Sequence, residues 1–376
     1  VLREKGSELT AHVSVDALVR REALRLGFDV VGVARADEPL TADFARYEGF
    51  IADEKHGSMA YLAAEPEARR RLDGEAILPG ARSVICVGKR YARAAEDEAK
   101  DPPFSQRVAR YARGQDYHNF LRKKLRRLAA FVRGLDADVR ARPLCDEEPV
   151  LERAWAARAG LGFVGKNGLI IAPGQGSFLL LGEVVTTLVL RADTPIGERC
   201  GACTRCLDAC PTSAFDAPFV LDPRRCIAYL TIEAEGIADE PLRAATGEHL
   251  FGCDVCQEVC PWNRTSPPAA DAVRAFRPHE RFEKMGLPAA IAANDEEFSS
   301  LTVGSPLHRA GPLGLARNAL VVAGNEVVPS EDGAQAIARG LAHPDPDLRE
   351  LARWAKARRD VRVTSRPPAE GFHDPA

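Results

Sequence analysis

The run Cys200-Gly-Ala-Cys203-Thr-Arg-Cys206-Leu-Asp-Ala-Cys210-Pro211 decides how this chain is organised. Its spacing, C-x2-C-x2-C-x3-C-P, is that of a bacterial [4Fe–4S] site. Thiolates are soft, anionic ligands that suit iron–sulfur clusters. A second set follows, Cys226 and then Cys253-Asp-Val-Cys256-Gln-Glu-Val-Cys260-Pro261. Eight cysteines with two Cys-Pro ends suit two clusters, and in such pairs the fourth cysteine of each run serves the other cluster. The spacing therefore predicts Cys200, Cys203, Cys206 and Cys260 around one cluster. Cys210, Cys226, Cys253 and Cys256 are expected around the other. Zinc sites also use C-x2-C pairs, but three cysteines at that spacing, a C-x3-C-P end and a partial repeat depart from a zinc ribbon.

A chain of 376 residues predicts two or three domains. With 45% hydrophobic and 28% charged residues it can bury ordinary cores. The net charge of −3 gives no global support for nucleic-acid binding, so any RNA contact has to come from a local patch. Eight of the ten cysteines fall in the two runs, which makes them a cofactor framework and implies a reducing compartment. No apolar run reaches a membrane span, and Val1-Leu-Arg-Glu-Lys5 carries no apolar signal region. The expectation is a cytoplasmic monomer without membrane contact.

Outward from the clusters, the N-terminal part alternates helix and strand. Residues 14–27 have apolar side chains at helical spacing and end at Gly27. Residues 28–34, 83–88 and 178–190 read as buried strands, and 41–54 as a helix. The fold class predicted is α+β: an N-terminal α/β domain over 1–190, a ferredoxin-like two-cluster module over 191–268, and a helical tail over 269–376. Residues 224–233 read as a helix carrying Cys226. In the tail, segments 311–324, 334–341 and 348–358 look like HEAT-type helical hairpins. Residues 366–376 are expected to be disordered.

Three stretches before the clusters carry polar groups of interest. Arg110-Tyr111-Ala112-Arg113-Gly114-Gln115-Asp116-Tyr117-His118 precedes a helix bearing Arg122, Lys123, Lys124, Arg126 and Arg127. That face is either simply solvated or meets an anion. Asp146 follows a predicted strand and precedes a helix, where a carboxylate commonly serves as an N-cap. Four glycines in Gly160-Leu-Gly-Phe-Val-Gly-Lys-Asn-Gly168 let backbone approach a large ligand, though the spacing is neither a Walker loop nor a dinucleotide fingerprint. Cys86 and Cys145 read as buried apolar fillers.

Taken together, Tyr111 to His118, Asp146 with Pro149-Val-Leu-Glu-Arg153, Gly165-Lys166-Asn167 and the two cysteine runs resemble the epoxyqueuosine reductases. The similarity spans roughly residues 15–360. It implies a cobalamin-dependent oxidoreductase with two [4Fe–4S] clusters. Such an enzyme reduces epoxyqueuosine to queuosine at the wobble position of tRNA and takes electrons from an external flavodoxin- or ferredoxin-type donor. By the resemblance, cobalamin would be met by Arg70, Ala109, Asp146, Asn167, Ile170, Leu181, Cys253 and Asp254. The family's proton-donating acid matches Asp146. Here Glu147-Glu148 follow it where other members carry small residues, which adds negative charge and is expected, with burial, to raise the acid's pKa. Asp116-Tyr-His118 begins like the D-x-H-x-x-G corrinoid motif, but Leu121 replaces its glycine, so His118 is not expected to bind cobalt.

An anticodon loop offers unstacked bases, for which Tyr111, Tyr117, Tyr229 and Trp262 are candidate platforms. Arg224, Arg225, Arg264, Arg317, Arg353, Lys356, Arg358 and Arg359 are candidate phosphate contacts. The plain alternative is that Trp262 packs on a cluster and Tyr229 fills the core. Two rivals share the cysteine pattern: a corrinoid reductive dehalogenase of small molecules, and a ferredoxin-type electron carrier with no catalysis of its own.

Overall fold

The computed structural model describes residues 14–268, 276–292 and 294–365. The stretch 366–376 lies outside them. Helix α1 (Val15–Arg25) starts where the Ser14 hydroxyl accepts the Ala17 N–H, and it stops before Gly27, whose φ of 86° is the left-handed turn a C-terminal glycine supplies. Helix α2 (Thr41–Ala52) follows the first strand. Helices α3 (Tyr117–Arg133) and α4 (Glu152–Arg158) follow further along the N-terminal part.

Its strands are β1 (Val30–Arg35), β2 (Ser83–Arg90), β3 (Ala141–Leu144), β4 (Phe163–Val164), β5 (Ile170–Ile171) and β6 (Leu179–Thr186). Four of them form one sheet in the order β1-β2-β6-β3, and every neighbouring pair is antiparallel. This corrects the α/β expectation for the N-terminal part, which is α+β. The helices lie on the faces of the sheet and do not serve as crossovers between parallel neighbours. Val33, Ile85, Val87 and Val184 pack one face against Val19 of α1 and Leu121, Leu125 and Val132 of α3. Val84, Cys86, Leu144 and Val185 pack the other face against Trp155 of α4. Strand β6 is shorter than the apolar run predicted. The Thr186 hydroxyl donates to Arg140 O and accepts Leu188 N–H, which turns the chain out of the sheet.

The helices of the cysteine-rich module are short, among them α5 (Arg205–Asp208), α6 (Ile227–Ile232) and α7 (Val255–Glu258). Cys226 is not inside a helix. It sits in extended backbone between a 3-10 turn, Pro223–Arg225, and α6, because Asp222 caps that turn through the Arg224 N–H. The C-terminal part packs α8 (Gly311–Asn325), α9 (Glu331–Leu341) and α10 (Pro346–Ser365) together. Helices α8 and α10 approach so closely that a Cβ on Gly324 would stand 2.9 Å from Ala355 Cα. Their core also takes in Phe104, Val108 and Ala112 from the N-terminal part, and Leu250 and Phe251 from the cysteine-rich part. One apolar core thus crosses both boundaries drawn from the sequence and fixes the three parts against each other. Among the described residues no helix is long and apolar enough to cross a membrane.

Candidate active site

Asp146 follows β3 with φ 63°, a left-handed conformation that costs a non-glycine residue about 1–3 kcal/mol and persists only where its surroundings impose it. They do. The Asp146 N–H donates to Glu152 Oε1 at 2.9 Å, and the Cys145 N–H to Glu148 Oε2 at 2.8 Å. The Asp146 side chain accepts from Tyr117 Oη at 2.9 Å and from His118 Nε2 at 2.8 Å, both on Oδ2. Asp146 is therefore no helix cap; α4 begins after Leu151 without a side-chain cap. The cap at this site is Asp116, whose Oδ1 receives the His118 N–H that starts α3 and also His118 Nδ1 at 2.7 Å. The Tyr117 and His118 rings stack with centroids 4.1 Å apart.

Charge follows from this geometry. Burial pushes the Asp146 carboxyl upward, but its hydrogen bonds from His118 and Tyr117 win, and the carboxyl lies below its ordinary value. The expectation of a raised Asp146 is corrected. Glu147, paired with Arg122, does not outweigh these bonds. The raised group is His118, which burial lowers but Asp116 and Asp146 pull up to about 9. At neutral pH the proton rests on the imidazole, and with both ring nitrogens donating to carboxylates it has no lone pair for a metal.

Other acids lie behind Asp146. Burial, then the Asp146 charge, pushes Glu152 up to about 8. Glu183, on central strand β6, is fully buried and also held far above its ordinary value. In front, the Tyr61 ring is half exposed, with the Arg309 guanidinium 5.3 Å from its centroid. Two 2.9 Å hydrogen bonds tie Arg309 to Glu233. The sequence reading missed Glu152, Glu183, Tyr61 and Arg309. Only Glu183 left a trace, as the one acid in an apolar strand.

The cysteines of the first set are brought together. Cys200, Cys203, Cys206 and Cys260 line one cavity of about 240 Å³ with Lys166, Asn167 and Trp262. Lys166 Nζ donates to Gly201 O at 2.6 Å and Cys203 O at 3.0 Å, so the Gly165-Lys166-Asn167 loop clasps the first cysteine run. Trp262 meets Phe163 edge-on at 5.5 Å and closes that cavity. In the second set, burial raises the thiols of Cys253 and Cys256, and after it Cys210 and Cys226 act on Cys253, and Cys253 and Cys226 on Cys256, so these four lie near one another. Among the described residues no three His, Cys, Asp or Glu side chains close on a single ion.

The positions expected to meet cobalamin are partly gathered. Ala109 N–H donates to Phe251 O at 2.8 Å, and Arg110 N–H to Asp254 Oδ2 at 2.7 Å. Ala109, Cys253 and Asp254 thus share one seam. Ile170 and Leu181 pack in the core beneath α4. Asn167 is buried and its Nδ2 has no partner among the described residues. Arg70 is exposed, its guanidinium 6.0 Å from the Phe44 ring centroid.

Several RNA candidates are occupied within the fold. Arg317 donates to the carbonyls of Leu230, Ala234 and Gly236. Arg224 and Arg225 pair with Asp222 and Asp216, and Tyr229 Oη bonds Ser58 N–H. Arg358 and Arg359 reach Asn325 and Glu326.

Two family models match: "4Fe-4S double cluster binding domain" over residues 199–263 and "Epoxyqueuosine reductase QueG, DUF1730" over 71–147. The epoxyqueuosine reductase of Xanthomonas campestris is 39% identical over 349 residues, covering 91% of this chain and 95% of that one. An epoxyqueuosine reductase crystallised with a tRNA-Tyr epoxyqueuosine-modified stem loop superposes with TM-score 0.77 at 28% identity, covering 94% of each chain. Another, from Bacillus subtilis with a catalytic aspartate loop swung out of its active site, gives 0.76 at 29% identity and the same coverage. Residues 199–263 are thus a double [4Fe–4S] domain. With this likeness running almost from end to end, the chain belongs to the epoxyqueuosine reductase family.

Proposed function

We propose that this protein reduces epoxyqueuosine to queuosine at the wobble position of tRNA, in the cytoplasm and as a monomer, fed by a flavodoxin- or ferredoxin-type donor. The observation that carries the reading is an aspartate forced into left-handed backbone and hydrogen-bonded to a protonated histidine, on a body that shares one core with a double-cluster domain. The ligand sets are those of the spacing: Cys200, Cys203, Cys206 and Cys260 for one cluster, and Cys210, Cys226, Cys253 and Cys256 for the other. The open Asn167 Nδ2 is a donor of the kind a corrin amide carbonyl accepts, and the Ala109, Cys253 and Asp254 seam joins body and cluster domain. These residues fit cobalamin between the two. Cobalamin held there would supply one-electron redox chemistry between the clusters and the epoxide.

The chain's own part is proton chemistry. An epoxide oxygen leaves poorly as an alkoxide, so a positioned acid must protonate it. Asp146 is that acid, and it draws its proton from His118 Nε2 across the 2.8 Å bond. Tyr117 and Asp116 hold the pair in line. The Tyr61 and Arg309 pair at the mouth offers an aromatic face to an unstacked base. The test is anaerobic. Protein reconstituted with iron, sulfide and cobalamin is given an epoxyqueuosine stem loop and reductant, and the nucleosides are analysed by mass. Conversion to queuosine is expected; none, with both cofactors loaded, overturns the reading.

A further inference from the structure

Two arginines flank the first cysteine run. Arg199 and Arg205 are exposed, and both line the cavity of Cys200, Cys203, Cys206 and Cys260. Neither guanidinium has an ion pair or a hydrogen bond among the described residues. Beside the second set, by contrast, Arg224 and Arg225 are paired with Asp222 and Asp216. No acid among the described residues lines the first cavity. The neighbouring acids in sequence, Glu198 and Asp208, accept the Cys200 N–H and the Thr204 hydroxyl. A cluster held by four thiolates is itself negative. Lys166, whose Nζ is held by Gly201 O and Cys203 O, is the cation placed to offset it. Arg199 and Arg205 remain as an unpartnered positive rim.

The ground between them is open. In sequence it consists of two ligands with Gly201, Ala202 and Thr204, and these three are all exposed. A Cβ built on Gly201 would meet nothing within 4 Å. The second set is closed off instead. A Cβ on Gly252, next to Cys253, would stand 2.7 Å from Ala109 Cβ, so that loop is pressed against the N-terminal part. Asp254 is buried there and accepts the Arg110 N–H. Helix α5, which carries Cys206, packs against α7, which carries Cys256. The first set is thus the outer one, with a packed path inward to the second.

We infer that the rim of Arg199 and Arg205 is the docking surface for an acidic flavodoxin-type carrier, and that electrons enter the protein at the first cysteine set. Electron-transfer partners meet over small interfaces, so charge rather than buried area brings them together. Carboxylates around the carrier's flavin pair with the two guanidinium groups. The planar flavin edge settles on the small residues between them. One electron leaves the reduced flavin and enters the cluster; no bond forms or breaks. Two such visits supply the two electrons of the proposed reaction, on which the inference rests for its need of a donor. The mouth near Asp146 is built from other residues, Tyr61, Glu233 and Arg309, none of which lines this cavity.

The test uses the full chain with both clusters loaded, without corrin or RNA. Fully reduced flavodoxin is mixed with it anaerobically, and bleaching of the cluster absorbance gives a second-order rate. At about 10 mM ionic strength, where charges act over about 30 Å, the double variant Arg199→Gln with Arg205→Gln is expected to react at least about tenfold more slowly than wild type. At about 1 M salt, where screening leaves about 3 Å, the two rates should converge. Arg199→Lys with Arg205→Lys keeps the charge and is expected to recover most of the rate. Reduced methyl viologen, a small cation that needs no docking surface, should bleach all three proteins alike, and stem-loop affinity measured in parallel should not change. Absence of bleaching by flavodoxin in wild type, a wild-type rate in the Gln variant, or a deficit that persists at high salt overturns the inference. So does an equal loss with methyl viologen, which reports a damaged cluster. Weaker stem-loop binding with an unchanged flavodoxin rate makes the rim an RNA contact and overturns it too. These rates involve no turnover of RNA, so failure to convert epoxyqueuosine overturns the proposed reaction and leaves the docking result standing.

Discussion

His118 Nε2 lies 2.8 Å from Asp146 Oδ2 while its Nδ1 lies 2.7 Å from Asp116 Oδ1, so one imidazole bridges two carboxylates across the start of α3. A cation shared in this way is fixed in position and protonation state at once. It places the proton beside the acid that needs it and keeps that acid ionised until substrate arrives.

The folded imidazole titrates near 9, above the 6.5 of a free side chain. Its pairing therefore stabilises the fold fully below about pH 6.5, and the contribution is lost as pH rises through about 9. The melting temperature should fall across that window, and kcat should fall over the same range. His118→Gln should flatten this part of the melting profile; an unchanged slope would contradict the assignment.

Asp146→Asn keeps the shape of the site and one acceptor for Tyr117 but cannot carry the proton. Activity should fall by about 10²–10⁴-fold with iron, corrin and stem-loop binding intact. Single-turnover conversion under anaerobic conditions measures it, and full activity would remove Asp146 from the mechanism.

The cavity holding Cys260 with Cys200, Cys203 and Cys206 makes a prediction that a run-by-run assignment does not. Cys260→Ala should damage the cluster held by the first run, and Cys210→Ala the cluster held by the second. Iron should drop from about eight to about four per chain in each, with different spectroscopic signals lost. The same signal lost in both would refute crossed ligation.

Gly176 has φ 77°, and a Cβ there would stand 2.1 Å from Asn263 Oδ1. That amide receives Ser177 N–H at 2.7 Å and donates to Gln257 O at 2.7 Å, which ties the start of β6 to the cluster domain. Gly176→Ala should cost at least about 1–3 kcal/mol, read by anaerobic denaturation. It should also slow cluster-dependent turnover by loosening the seam.

What could be read in advance depended on how local each signal was. The cysteine spacing lies within a few residues of chain, so the grouping of Cys200, Cys203 and Cys206 was legible at once. Helix α1 showed in its apolar periodicity and closing glycine, and α3 in its amphipathic pattern, though not in its Asp116 cap. The antiparallel sheet was not legible, because apolar runs alone carry no strand direction. Asp146 stood out as a residue, but its charge did not. Tyr117 and His118 reach it from another element, and Arg122 cancels Glu147 from the same helix. Glu183 was hidden because a lone acid in an apolar strand looks like noise until both faces of the sheet are seen to be closed.

The cavity shared by Cys200, Cys203, Cys206 and Cys260 also sets the order of maturation. A ribosome releases the first three thiols well before the fourth wall exists. Until residue 260 has emerged, any metal delivered there is held by an open cup exposed to oxygen. The assembly machinery must therefore wait until at least 260 of the 376 residues have been made, and a product that ends before Cys256 has neither cluster complete.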